Sequence, residues 1–118
     1  MKALTEQELH NLAMNVTGKE LEKKGFEFLS VNSKLKKDPQ FVCIKGKKLY
    51  FVIVKAITYP KDPKKFDIIF METIKTHALK FKAKILYAGV GIANASDYEK
   101  PIYKHEEFVI NYQGIIEI

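Results

Sequence analysis

The first pattern of apolar positions along the chain has a helical period. Small and branched apolar side chains recur at three- and four-residue steps, as on one face of an α-helix: Leu9, Leu12, Ala13, Val16 and Leu21. Thr5 and Glu8 have the spacing of a capping box, and Gly25 stands where a residue in the left-handed conformation would end a helix. The pattern predicts a helix over about residues 6–24.

Three short apolar runs follow, each bounded by turn residues. They cover residues 26–32, 40–45 and 49–58, and they are typical of β-strands. Gly46 is the permissive residue of a short turn between the second and third runs, and the loop YPKDP ends the third. The sequence therefore predicts one strand followed by a β-hairpin.

A second helical pattern covers about residues 64–82. Its large apolar side chains are Phe66, Ile69, Phe70, Ile74, Ala78 and Phe81. The run KILYAGVGIAN predicts a largely buried strand whose glycines allow close backbone approach, and another strand is expected near residues 108–112. The order helix, three strands, helix, strand and C-terminal strand predicts one mixed α/β (α+β) domain spanning residues 1–118.

Composition limits the classes of function. No apolar run approaches the roughly 20 residues that a membrane-spanning helix needs, and the N-terminus turns polar at once. We therefore expect a cytoplasmic protein with no membrane partner. The single Cys43 agrees with a reducing compartment and cannot hold an iron–sulfur cluster. His10, His77 and His105 are far apart in the sequence, so we expect no zinc site. The run AGVGIA lacks the third glycine of a dinucleotide-binding motif, so we expect no cofactor, with magnesium only if the protein is a nuclease.

The net charge of +6 is carried entirely by lysine, since the sequence contains no arginine. A positive field attracts polyanions, but arginine is the usual side chain for reading guanine. The absence of arginine argues against sequence-specific reading of bases. Charge alone favours a merely solvated lysine surface, with non-specific contact with nucleic acid as the alternative. Six lysines belong to the hairpin turn and the loop before the hairpin, which we expect to lie close together: Lys34, Lys36, Lys37, Lys45, Lys47 and Lys48.

Two segments, GKELEKKGFEFLSVNSK and LYFVIVK, carry a resemblance to a known family. The first resembles the initial helix and strand of small bacterial predicted endonucleases related to Holliday-junction resolvases, in the restriction-endonuclease-like (PD-(D/E)XK) superfamily. The second is similar to the family's apolar strand Leu-Val-Phe-Val-Glu-Val-Lys. The matching residues of the first segment are Gly18, Glu20, Gly25, Phe26 and Asn32. The resemblance covers about residues 18–56 and implies the same core order of helices and strands.

The resemblance also implies an altered active site. Such nucleases bind magnesium through two strand carboxylates and place a lysine beside the metal. Lys55 matches the lysine, whereas Gln40 and Ile53 occupy the carboxylate positions. The implied site is degenerate and would hold no magnesium, unless an acid has migrated. Glu20 on the first helix and Asp38, two residues before Gln40, are the candidates for such an acid.

Three functions stay open at this point. The first is a non-enzymatic domain that binds nucleic acid or another partner through the lysine cluster and Lys55, although Lys55 has an ordinary reading as a strand-end lysine. The second is a magnesium-dependent DNA nuclease with a migrated acid. The third is a homodimer or protein-interaction scaffold. Its contact would use apolar groups near the C-terminus: Tyr98, Ile102, Tyr103, Phe108 and the tail IIEI.

Overall fold

One six-stranded mixed sheet with a helix on each face forms the domain in the computed structural model, which describes residues 2–118. The helices are α1 (Glu6–Lys23) and α2 (Ile68–Leu79). The strands are β1 (Glu27–Val31), β2 (Phe41–Lys45), β3 (Lys48–Thr58), β4 (Lys84–Asn94), β5 (Phe108–Asn111) and β6 (Ile116–Glu117). The expected α/β class is confirmed. Within residues 2–118, no helix is both long and apolar enough to cross a membrane.

The sheet has the order β1-β2-β3-β4-β5, and β6 pairs separately with β4. The pairs β1/β2 and β2/β3 are antiparallel, β3/β4 is parallel, and β5 and β6 run antiparallel to β4. Because β3 and β4 are parallel, Thr58 and Ile92 lie at the same end of the sheet, which we call the carboxyl end. The opposite end, where Gly46 joins β2 to β3, is the hairpin end.

Strand β3 is buried on both of its faces. Val52 and Val54 belong to the core beneath α1, whereas Phe51 and Ile53 belong to the core beneath α2. A strand covered on both sides loses the usual alternation of apolar and polar residues. This double burial explains why LYFVIV is continuously apolar.

Helix α1 begins with the predicted capping box, in which Thr5 Oγ1 accepts from Glu8 N at 3.1 Å and Glu8 Oε1 accepts from Thr5 N at 3.0 Å. Its fully buried residues are His10, Ala13, Met14, Thr17 and Leu21. Leu9, Leu12 and Val16 pack only partly against the same core. The buried face is thus rotated by one position from the predicted stripe, and it includes two polar side chains.

Helix α2 is shorter than the predicted 64–82. It begins only after Asp67, whose carboxylate accepts from Phe70 N at 3.0 Å and so caps the first turn. The prediction that Ile69 and Phe81 belong to a buried apolar face was wrong, because Ile69 is 82% exposed and Phe81 is 54% exposed. Met71 and Ala78 are the fully buried residues of the helix.

The segment between β3 and α2 folds back over the sheet at Gly89 and Gly91. A Cβ added to Gly89 would collide with the carbonyl oxygen of Pro63, and one added to Gly91 would lie 2.8 Å from Pro63 Cγ. The predicted close approach of backbone at these glycines is therefore confirmed. This packing holds the loop 59–67 at the carboxyl end of the sheet.

Candidate functional site

Lys55 lies on the α2 face of β3, close to the carboxyl end. Its Nζ is 4.8 Å from the centroid of the Phe70 ring and 3.6 Å from Asp38 Oδ2. The Lys55 side chain is 35% exposed, whereas that of Asp38 is 9% exposed. The lysine therefore combines a cation–π contact and a half-buried ion pair with partial access to solvent.

Gln40 connects this ion pair to the sheet. The last residue pair between β2 and β3 is Phe41 with Val52, so β3 continues without a strand partner on that side. Gln40 Oε1 accepts from Val54 N at 2.7 Å, and Gln40 Nε2 donates to Asp38 Oδ1 at 2.6 Å. At 1% exposure, the amide satisfies a buried backbone donor and fixes the aspartate that faces Lys55.

Ile53 is fully buried in the core beneath α2, beside Tyr87 of β4 in the sheet register. Both positions that the resemblance assigns to carboxylates thus hold groups with structural roles. Gln40 has its amide oxygen directed at Val54 N, and Ile53 has no polar atom in its side chain. These residues do not fit a magnesium site. Among residues 2–118, no three histidine, cysteine, aspartate or glutamate side chains are grouped so that they could hold a metal ion.

His10 was not predicted to belong to this site. It is 2% exposed, its Nε2 has no hydrogen-bond partner, and it lines a cleft of about 230 Å³ together with Lys55. Glu6, Lys36 and Thr58 line the same cleft. Burial and the nearby charge of Lys55 lower the pKa of His10, while Asp38 opposes them. The signal in the sequence was a histidine three residues before Ala13, on the apolar stripe of α1.

Gln7 holds the lysine-bearing loop 33–38 against the start of α1. Its Nε2 donates to Ser33 O at 2.8 Å, and its Oε1 accepts from Leu35 N at 2.8 Å. The two backbone groups belong to the residues before and after Lys34, so the loop is held in a position where its lysines reach solvent. No local pattern indicates this contact, because Gln7 is 26 residues from Ser33.

The predicted lysine cluster is divided between the two ends of the sheet. Lys34, Lys36 and Lys37 lie in the loop before β2, at the carboxyl end, and Lys36 shares the cleft with Lys55. Lys45, Lys47 and Lys48 lie at the hairpin end. Strand β2 stands between the groups and, with five residues, separates them by about 16 Å. The expectation that all six lie close together was wrong.

Glu20 does not join Lys55. It lies ten residues beyond His10 along α1, which is about 15 Å of helix. Glu20 Oε1 accepts from Tyr112 Oη at 2.6 Å and from Ile115 N at 3.1 Å. Its role is to attach the C-terminal segment to α1, and a rebuilt acidic site made of Glu20, Asp38 and Lys55 is contradicted by this geometry. Of the two proposed migrated acids, Asp38 alone meets the lysine.

The apolar groups near the C-terminus mostly pack within the chain. Ile102 is 5% exposed in the core beneath α1, and Ile115 packs against the same core. Ile116 and Ile118 pack against the other core, and β6 pairs with β4. Tyr98 and Phe108 stay exposed, at 52% and 38%. The tail IIEI therefore completes the sheet of its own chain.

These features define the class of protein: a small mixed α/β domain whose carboxyl end carries a Lys55–Asp38 pair above a buried Gln40. The profile of a domain family, the domain of unknown function DUF8840, matches residues 7–118, and the chain belongs to that family. No curated protein and no solved structure matches the chain. The restriction-endonuclease-like resemblance stays a prediction from the sequence.

Proposed function

We propose that this domain binds nucleic acid non-specifically at the carboxyl end of the sheet and does not cut it. The observation that carries the proposal is the charge at this end. Segments 33–38 and 55–67 hold seven lysines and three aspartates, while the start of α1 and the loop 95–101 add Lys100 and the acids Glu6, Asp97 and Glu99. The seven lysines of the two segments are Lys34, Lys36, Lys37, Lys55, Lys61, Lys64 and Lys65.

The three aspartates are each engaged inside the protein. Asp38 pairs with Lys55, Asp62 Oδ1 accepts from Lys64 N at 2.9 Å, and Asp67 caps α2. The other six lysines are exposed and make no ion pair among residues 2–118. Their ammonium groups are therefore free to replace counterions on a phosphate backbone, which is the main source of non-specific affinity.

Two features support binding without cleavage. The implied carboxylate positions are Gln40, committed to Val54 N, and Ile53, buried in the core. Lysine acts on phosphate as a point charge, so the interface would hold the backbone without reading bases.

The single buried Cys43 accords with a reducing compartment, and we place the domain in the cytoplasm.

The direct test incubates the protein with labelled single-stranded, duplex and branched DNA and with RNA, with and without magnesium. We expect binding that weakens steeply as salt rises and substrates that stay intact. Absence of binding at low salt to every substrate would contradict the proposal.

The competing function, metal-dependent cleavage, has one carboxylate beside Lys55, that of Asp38, where such a nuclease site needs two. It predicts strand cleavage that needs magnesium and disappears in Lys55→Ala. That outcome would replace the binding function with the enzymatic one. Binding without cleavage by both wild type and Lys55→Ala would reject it.

A further inference from the structure

Two exposed tyrosines meet at the carboxyl end of the sheet, next to the lysines. Tyr59 follows β3 and Tyr98 lies in the loop after β4, and their ring centroids are 5.5 Å apart with 56° between the ring planes. They are 49% and 52% exposed. Within residues 2–118, each ring thus keeps about half of its surface open to solvent.

The loops that carry these rings are held by the sheet. Asn94, which is 2% exposed, donates from Nδ2 to Pro101 O at 2.8 Å and accepts at Oδ1 from Ser96 N at 2.9 Å. These bonds close the loop around Tyr98. On the other side, Lys61 N donates to Thr58 O at 3.1 Å, which closes the turn that carries Tyr59. The ring pair is therefore positioned before any ligand arrives.

A groove of about 390 Å³ runs beside the ring pair, and its size suits a small planar group. The groove is lined largely by apolar groups, including Ile57, Pro63 and Val109. Lys61 lies at the same groove. An aromatic pair, an apolar lining and a lysine together provide a stacking surface for a base and a charge for its phosphate.

Continuity with the lysines indicates which ligand this groove takes. A third cleft shares Thr58 with the cleft that contains Lys36 and Lys55, and it shares both tyrosines with the groove. A strand lying on Lys36 and Lys55 would therefore have a path along the surface to the rings. Bases in a duplex are stacked on one another and are not available to these rings, whereas bases of a single strand are.

We infer that the groove beside Tyr59 and Tyr98 stacks an unpaired base of a single-stranded nucleic acid, with Lys61 on the adjoining phosphate. The inference rests on the proposed function and narrows its ligand from nucleic acid in general to single strands. The stacking is tolerant of sequence, since every base offers an aromatic face.

The test measures binding of a fluorescent oligothymidine strand of about 16 nucleotides by anisotropy. The probe is compared with a strand of equal length made only of abasic sites, which keeps the phosphates and lacks the bases. Variants Tyr59→Leu and Tyr98→Leu retain apolar surface and remove the aromatic face. Phe81→Leu is the matched control, because Phe81 is 54% exposed and precedes β4 at the hairpin end.

We expect each tyrosine variant to weaken oligothymidine binding about tenfold, while abasic binding and the Phe81→Leu variant stay near wild type. Tyr59→Phe and Tyr98→Phe should restore binding. Tyrosine variants that bind oligothymidine like wild type would overturn the inference and leave the proposed function standing. A wild-type dimer that the tyrosine variants convert to monomer, with DNA binding unchanged, would also overturn it. If wild type binds neither strand, the proposed function itself fails.

Discussion

At the scale of single residues, the Gln40 side chain stabilises the altered site through its hydrogen bonds. Replacing Gln40 with leucine keeps the approximate volume but leaves Val54 N without an acceptor and Asp38 without its amide donor. An unsatisfied buried donor costs about 1–3 kcal/mol. We expect Gln40→Leu to lower the free energy of unfolding by that amount, measured by denaturant titration.

The exposed Gln113 offers the matched control, since Gln113→Leu removes an amide that donates to Asn111 Oδ1 at the surface. Its free energy of unfolding should stay within about 0.5 kcal/mol of wild type. Equal stability of Gln40→Leu and wild type would show that the amide does not support β3.

His10 gives the fold a dependence on pH. Burial, and then the charge of Lys55, lowers its folded pKa below the usual 6.5, with Asp38 opposing. The unfolded chain therefore binds a proton more readily than the folded chain, and the free energy of unfolding falls as pH drops below about 6.5. We expect this fall to be smaller in His10→Leu, as measured by unfolding at a series of pH values. The same slope in both proteins would contradict the assignment to His10.

At the scale of secondary-structure elements, the two glycines of β4 determine where the loop 59–67 lies. A methyl group at Gly89 would collide with the backbone carbonyl of Pro63. A flexible side chain could move out of the way, but a backbone carbonyl cannot. Overpacking of this kind costs about 1–3 kcal/mol. We expect Gly89→Ala to lower the free energy of unfolding by that amount, measured by denaturant unfolding.

Gly18→Ala is the control within the same chain. Gly18 lies inside α1, and an added Cβ would stand 3.4 Å from Phe41 Cζ, an ordinary contact. Alanine is the better helix former by about 1 kcal/mol, so this variant should equal or exceed wild-type stability. A Gly89→Ala protein as stable as Gly18→Ala would refute the close packing of the loop.

Elements that depend on local patterns could be predicted from the sequence. The capping box of α1, the doubly buried β3 and the close approach at Gly89 and Gly91 all follow from neighbouring residues. Contacts between distant segments could not be predicted. Glu20 meets a residue 92 positions away, and no local pattern indicates that partner.

The separation of the lysines into two groups could have been predicted from the sequence. The predicted strand at residues 40–45 already stood between the loop and the hairpin turn, so it had to separate Lys36 from Lys47. The position of His10 beside Lys55 could not, because it depends on how α1 crosses the sheet.

At the scale of the whole molecule, positive charge is present at both ends of the sheet, but the surroundings differ. The carboxyl end has a cleft, a groove and exposed tyrosine rings beside its lysines. The hairpin end also has a cleft, of about 520 Å³ beside Lys45 and Lys48, but its rings, Phe26 and Tyr50, are partly buried against the core beneath α1. Lys45 Nζ lies 5.0 Å from the centroid of the Phe26 ring. We therefore expect nucleic acid to engage one end of the molecule and leave the other largely free.

The salt dependence of binding tests most directly whether nucleic acid binds at the carboxyl end. Two triple variants each remove three charges: Lys36→Gln with Lys37→Gln and Lys61→Gln at the carboxyl end, and Lys45→Gln with Lys47→Gln and Lys48→Gln at the hairpin end. They are matched in backbone as well, since Lys36 and Lys47 both have positive φ, at 64° and 66°.

The quantity measured is the slope of the logarithm of the association constant for single-stranded DNA against the logarithm of salt concentration. Each phosphate contact contributes about 0.7 to the magnitude of that slope. The carboxyl-end variant should lose about 2 from the wild-type slope, whereas the hairpin-end variant should keep it. Equal slopes for the two variants, or a greater loss in the hairpin-end variant, would contradict binding at the carboxyl end.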